Sequence, residues 1–136
     1  MTNEAVIVEL LGDRGDVVSY NVANGTAIAK GELMQLTDNR TALISANGKP
    51  CAGIAASEKV INDGQLYLGL YTNGIFDLLD AGAGGTVGVN VVLGGVNSVR
   101  DAAATEAEKG WIMGKRFATA GAAATEEVRV LIGKHH

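Results

Sequence analysis

The chain has 136 residues, of which 47% are hydrophobic and only one is proline, and this composition indicates one compact domain. Fifteen acidic residues outnumber eleven basic ones and give a formal net charge of −4. This balance excludes nucleic acid as an expected partner, because phosphate binding needs clustered lysine and arginine. No apolar run approaches the roughly 20 residues of a membrane helix, and the N-terminus lacks the basic start and cleavage site of a secretory signal. We therefore expect no membrane partner and synthesis in a cytoplasm.

Apolar alternation with a period of two dominates the chain, and turn residues interrupt it about every eight to twelve residues, as in β-sandwiches and barrels. One predicted strand, short and made of small residues, follows Pro50. Asn73 and Gly74 are predicted to form a tight hairpin turn. The one predicted helix, residues 102–110, has one or two turns and ends at a glycine. The other predicted strands, in chain order, are 5–11, 17–23, 26–29, 32–37, 41–46, 65–72, 75–80, 87–93, 96–102, 111–118 and 127–133.

This pattern predicts an all-β fold, a small β-barrel or β-tulip-like domain with at most one short helix. We assign residues 1–20 to an N-terminal strand or extended arm and residues 21–136 to a single β-domain. A weak internal repeat suggests a pseudo-symmetric barrel, because similar residues recur in the same order in both halves. The repeated residues are Gly31, Met34, Leu36, Asn39 and Gly53 in the first half, and Gly88, Val91, Leu93, Asn97 and Gly114 in the second.

The glycine-rich stretch LDAGAGGTVGVNVVLGG, residues 79–95, does not fit a phosphate-binding loop. A dinucleotide fingerprint needs a third glycine where Val87 stands, and a P-loop needs a lysine that this stretch lacks. The stretch leads into a predicted strand, so no helix N-terminus faces an anion. We interpret it as a hairpin loop and expect no cofactor.

No group of residues forms a catalytic or metal-binding pattern. The two histidines stand at the C-terminal end, where they are not held in a preorganised site. Cys51 is the single cysteine, so an intramolecular disulfide and a zinc knuckle are excluded, and inert packing is its expected role. The acidic pairs and the Arg-Gly-Asp tripeptide at 14–16 fit solvated turns. The sequence therefore predicts that the protein has no catalytic residue, holds no metal and is not an enzyme. It favours a binding function.

From about Thr26 to Ile132 the chain resembles the small capsid cement, or head decoration, proteins of tailed bacteriophages and related viruses. The resemblance rests on the order and spacing of motifs that have low specificity individually. It departs from the family pattern in the N-terminal 20 residues and in the charged insert at 104–110. The ordered segments are GELMQLTDNRTALIS (31–45), KPCAGIAASEK (49–59), LGLYTNGIFDL (68–78), GGTVGVNVVLGGVNSVRDA (84–102), GWIMGKRFATA (110–120) and EVRVLIG (127–133).

The resemblance implies a non-enzymatic virion protein that docks on the outside of an assembled icosahedral shell and stabilises contacts between subunits of the major capsid protein. It also implies a homo-oligomer, with a trimer favoured, on local threefold positions of the shell. An extended N-terminal segment fits this role, because it can pair backbone to backbone with a capsid strand. The candidate contacts with capsid or neighbouring subunits are Ala5, Val6, Ile7, Val8, Leu10, Phe76 and Trp111.

Several alternatives remain open at this stage. The N-terminal segment also fits an ordinary first strand of the barrel, and the aromatics Phe76 and Trp111 also fit the core or a subunit interface. A tail, fibre or adhesin β-module would use the same strands. A small-ligand-binding barrel would need inward aromatic side chains, which are scarce at 4% aromatic residues.

Overall fold

A computed structural model describes residues 5–9, 17–80, 87–109, 111–119 and 127–132. The fold is all-β with one short helix, as the sequence predicts. The elements are β1 (Val6–Glu9), β2 (Val17–Asn21), β3 (Leu33–Asp38), β4 (Thr41–Ile44), β5 (Cys51–Ala55), β6 (Tyr67–Tyr71), β7 (Gly74–Asp80), β8 (Asn90–Gly95), β9 (Ser98–Asp101), α1 (Ala104–Glu108), β10 (Gly114–Thr119) and β11 (Glu127–Ile132).

Two rings of five strands follow one another along the chain. The first barrel closes in the order β2-β4-β3-β5-β6. In the second barrel the pairing runs β7-β9-β8-β10-β11 and returns to β7. β1 is an additional strand that pairs antiparallel with β7. Each ring is antiparallel except at one seam, where β2 meets β4 and β7 meets β9 in parallel.

The two barrels have the same topology and the same hairpin register. In the β3–β4 hairpin Leu36 pairs with Ala42, and in the β8–β9 hairpin Leu93 pairs with Val99. A register shift follows directly after each pair. Gly53 and Gly114 occupy equivalent positions in the two barrels. The β3–β5 and β8–β10 pairings place them there, and the β5–β6 and β10–β11 pairings agree. The internal repeat that the glycines suggested is therefore a repeat of a five-stranded barrel.

Backbone conformation supports the same correspondence. Gly31 and Gly88, which precede the two hairpins, have φ angles of 88° and 92°. Arg40 and Asn97, in the two hairpin turns, have φ angles of 49° and 55°. The internal repeat predicted from the sequence matches Asn39 with Asn97. This match is wrong, because Arg40 occupies the position in the first hairpin that is equivalent to Asn97.

Each barrel has its own core, and four positions of the two cores correspond. The first core contains Met34, Ala42, Ala52 and Leu70, and the second contains Val91, Val99, Met113 and Val130 at the equivalent places. The second core also takes in Leu33 and Ile54, which belong to β3 and β5 of the first barrel. The barrels are thus packed against each other through the outer face of the first barrel.

Two details of the sequence prediction change, at residues 26–29 and at Asn73–Gly74. Residues 26–29 form no strand, since only Ile28 makes an isolated bridge, to Lys59. Asn73 and Gly74 do not make a hairpin turn, because β6 pairs within the first barrel and β7 within the second. The predicted boundary at residue 20 falls inside β2, which belongs to the first barrel. The short helix lies within the predicted range.

Candidate functional site

The predicted N-terminal contact segment is a strand of the molecule's own sheet over the part that is described. β1 pairs with β7 at Val6, Ile7 and Glu9, and the Ala5 amide donates to the Gly31 carbonyl at 2.7 Å. Ala5 is half-buried and packs against the second core. The side chains of Val6, Ile7 and Val8, and all of Leu10, lie outside the described part of the chain.

The two aromatic candidates lie in different environments. Phe76 is fully buried in the second core, with its ring centroid 6.1 Å from that of Tyr71. Trp111 is half-buried, and the Lys109 ammonium lies 4.5 Å from its ring centroid in a cation–π contact. Trp111 therefore reaches the surface of the chain, whereas contact of Phe76 with another protein requires opening of the core.

Exposed large apolar side chains are concentrated on the first barrel and the loops within it. Of the side chains that the structure describes, only Val87 and Val96 of this kind belong to the second half. The first half carries Val17, Val18, Leu36, Leu43, Val60, Ile61, Leu66 and Tyr67. Exposed apolar surface of this kind marks contact sites for other macromolecules. Sequence patterns did not single out these residues, because alternation shows which residues share a face and does not show which face is covered.

The loops of the first barrel are tied together by a buried cation. Lys59 has no exposed side-chain surface, and its ammonium donates to the carbonyls of Asn24 at 2.7 Å, Thr26 at 3.1 Å and Val60 at 3.3 Å. Its fourth neighbour is the Asp63 carboxylate at 3.4 Å. This arrangement satisfies the charge within the protein and leaves Lys59 a structural role.

A polar junction joins the two barrels. The Leu33 amide donates to Asn97 Oδ1 at 2.8 Å, and the Ser45 hydroxyl donates to the Gly95 carbonyl at 3.0 Å. Arg100 Nε donates to Asn47 Oδ1 at 2.8 Å. These bonds fix the β8–β9 hairpin of the second barrel against the start of β3 and the segment that follows β4.

Helix α1 is held to this junction by a charged pair. The Arg100 guanidinium donates to both carboxylate oxygens of Glu106, with Nη1 and Oε1 2.9 Å apart, and the Ala103 amide donates to Glu106 Oε1 at 2.8 Å. The hydrogen bond from Arg100 and the one from Ala103 hold the pKa of Glu106 below its usual value. The carboxylate is therefore the stable form in the folded protein.

We expect Glu106→Gln to lower the free energy of unfolding at pH 7 by about 2 kcal/mol, since hydrogen bonds to charged groups are worth more than neutral ones. The contribution is complete above the unfolded pKa of about 4.3 and is lost as the pH falls through it toward the lower folded pKa. Urea unfolding at pH 7 and pH 3 measures it. Glu108→Gln, an exposed position on the same helix, is the matched control. Equal stabilities of the two variants at pH 7 would contradict the prediction.

Among the described residues, potential metal ligands are not grouped, and the Cys51 thiol is protonated near neutral pH. No three of their histidine, cysteine, aspartate or glutamate side chains are grouped to hold a metal ion. Burial raises the pKa of the Cys51 thiol to about 12, so the thiol stays protonated and a poor nucleophile near neutral pH. Residues 81–86 of the glycine-rich stretch and both histidines lie outside the described residues.

No protein-family model matches the chain, and no curated protein matches it in a sequence search. None of the helices within the described ranges is long and apolar enough to cross a membrane.

Proposed function

We propose that this chain is a capsid decoration protein, which binds the outside of an assembled icosahedral viral shell and stabilises contacts between major capsid protein subunits. The observation that carries the proposal is the ordered series of motifs from Thr26 to Ile132, which resembles that family. In the structure these motifs lie on β3 to β11, with the two glycine-led segments on the matching hairpins of the two barrels.

The distribution of surface supports a binding role. The exposed apolar side chains of the first barrel offer contact area for another macromolecule. Both barrel interiors are packed with apolar side chains, which does not favour the alternative of a small-ligand-binding barrel. A shell presents many identical sites, so modest contacts from an oligomer, with a trimer favoured, are multiplied by avidity.

Quantitative protein composition of purified virus particles tests this function. We expect this chain in copy numbers comparable to the major capsid protein, and we expect recombinant chain to rebind shells from which it has been stripped. A trace amount would instead support a tail or fibre module, and complete absence from the particle would contradict a virion role.

A further inference from the structure

The repeat makes it possible to compare the two barrels position by position, and they differ in how one face is covered. In the second barrel Phe76 and Leu93 are fully buried. The pairings place Val18 and Leu36 at the equivalent positions of the first barrel, where they are 38% exposed each. Val17, the counterpart of the buried Ile75, is 45% exposed. We call Val18 and Leu36, with the adjoining edge of β2, the open face; the side chain of Val17 points to the opposite side of β2.

Two elements cover the corresponding face of the second barrel. Leu33 and Ile54 from the first barrel join its core beside Phe76 and Leu93. β1 pairs along the edge of β7, with partners at Ile75, Phe76 and Asp77. In the part of the chain that the structure describes, nothing pairs with the equivalent stretch of β2, Val17–Ser19, on that side.

The backbone groups along this edge are directed outward. The Asn21 amide donates to the Arg40 carbonyl on the β4 side, while the Val22 amide donates to Leu66 on the β6 side. Because the direction alternates along a strand, the amides of Ser19 and Val17 share the side of Asn21. Arg40 Nε already donates to the Ser19 carbonyl at 2.7 Å, so the positively charged Arg40 guanidinium lies at the end of the open edge.

A second copy of this chain cannot repeat the contact by which the first barrel covers the second. The residues that insert, Leu33 and Ile54, form a cross-strand pair on the outer face of the first barrel. Their counterparts on the second barrel are Asn90 and Lys115, which also form a cross-strand pair. A polar amide and an ammonium there do not fill an apolar face, so head-to-tail stacking of copies is unfavourable. The contact by which the first barrel covers the second is therefore not available to a second copy at the open face.

We propose that the open face is the docking site for an extended strand of the shell protein, an inference that rests on the proposed function. The strand adds to the free edge of β2 antiparallel, as β1 adds to β7, and inserts branched aliphatic side chains over Val18 and Leu36. An acidic residue in that strand pairs with Arg40. Main-chain hydrogen bonds supply affinity in this mode, and the apolar contacts supply selectivity.

The test combines a peptide probe with shell binding. The probe is the peptide EAVIVEL, residues 4–10 of this chain, because β1 fits the equivalent edge of β7. We expect hydrogen exchange of the full chain to slow at the amides of Val17 and Ser19 when the peptide is added. Peptide methylated on the backbone nitrogens that face the protein should give no protection. If the unmodified peptide leaves the Ser19 amide unprotected, the inference is wrong.

Ser19→Pro removes the outward amide, and Ser57→Pro, in the exposed turn after β5, is the matched control. We expect Ser19→Pro to weaken binding to stripped shells at least tenfold, while Ser57→Pro binds as the wild type does. Wild-type binding by both variants would overturn the inference and leave the proposed function standing. Failure of the wild-type chain to bind shells would overturn the proposed function and the shell as partner. A dimer in solution that Ser19→Pro dissolves would assign the open face to a second copy and overturn the inference.

Discussion

We expect Gly53→Ala to destabilise the protein by about 3 kcal/mol, a loss of about 10 °C in the thermal midpoint. Gly53 lies in β5 with a φ of 152°, a conformation that L side chains rarely adopt. A Cβ there would lie 2.5 Å from the Tyr71 carbonyl oxygen and 3.1 Å from Leu70 Cβ. Both neighbours belong to the adjacent strand β6, so relief requires separation of two paired strands. Thermal and urea unfolding measure the loss.

Two other glycines separate the steric cost from the conformational one. Gly64 has a φ of 83° and nothing within 4 Å of an added Cβ, so Gly64→Ala should cost only about 1 kcal/mol for the backbone conformation. At Gly25 the nearest atom is 3.9 Å away, and Gly25→Ala should be close to neutral. If Gly53→Ala were no more destabilising than Gly64→Ala, the close approach of β5 to β6 would be wrong.

Lys59→Met should lower the free energy of unfolding by about 3 kcal/mol, because it leaves buried carbonyl groups and an acid without their cation. Methionine keeps an unbranched side chain as far as Cε and lacks the ammonium, so the loss reports mainly the ammonium. The carbonyls of Asn24, Thr26 and Val60 would lose their donor. Urea unfolding measures the change, and hydrogen exchange should accelerate in residues 22–28 and 59–64.

Lys30→Met provides the comparison, since Lys30 is exposed and should tolerate the change within about 0.5 kcal/mol. A Lys59→Met variant as stable as Lys30→Met would show that these loops do not depend on the buried ammonium.

Local sequence patterns predicted the strands well because alternation and turn residues act over short distances. They failed at residues 26–29, where Ile28 is buried in the first core but makes only an isolated bridge to Lys59. They also failed at Asn73–Gly74, because the choice of strand partners depends on the whole chain. The glycine repeat was visible because Gly31 and Gly88 meet the same backbone requirement in both barrels.

The buried charges and the open face were not predictable in the same way. Lys59 and Arg116 are 1% exposed each, yet charged residues in a sequence normally indicate surface. Leu36 and Leu93 are the same residue at matching positions, and they differ in exposure because the first barrel and β1 cover the second barrel. Such differences arise from tertiary packing, which no local pattern contains.

The short parallel pairings that close the barrels bear on where local unfolding begins. β2 meets β4 at one residue pair and β7 meets β9 at two, whereas β7 and β11 pair along six positions. A barrel that is closed by so few residue pairs has few hydrogen bonds at that place. Local opening begins where the fewest hydrogen bonds must break. In the first barrel the seam is the shortest pairing, so we expect that barrel to open there into a curved sheet before its hairpins separate.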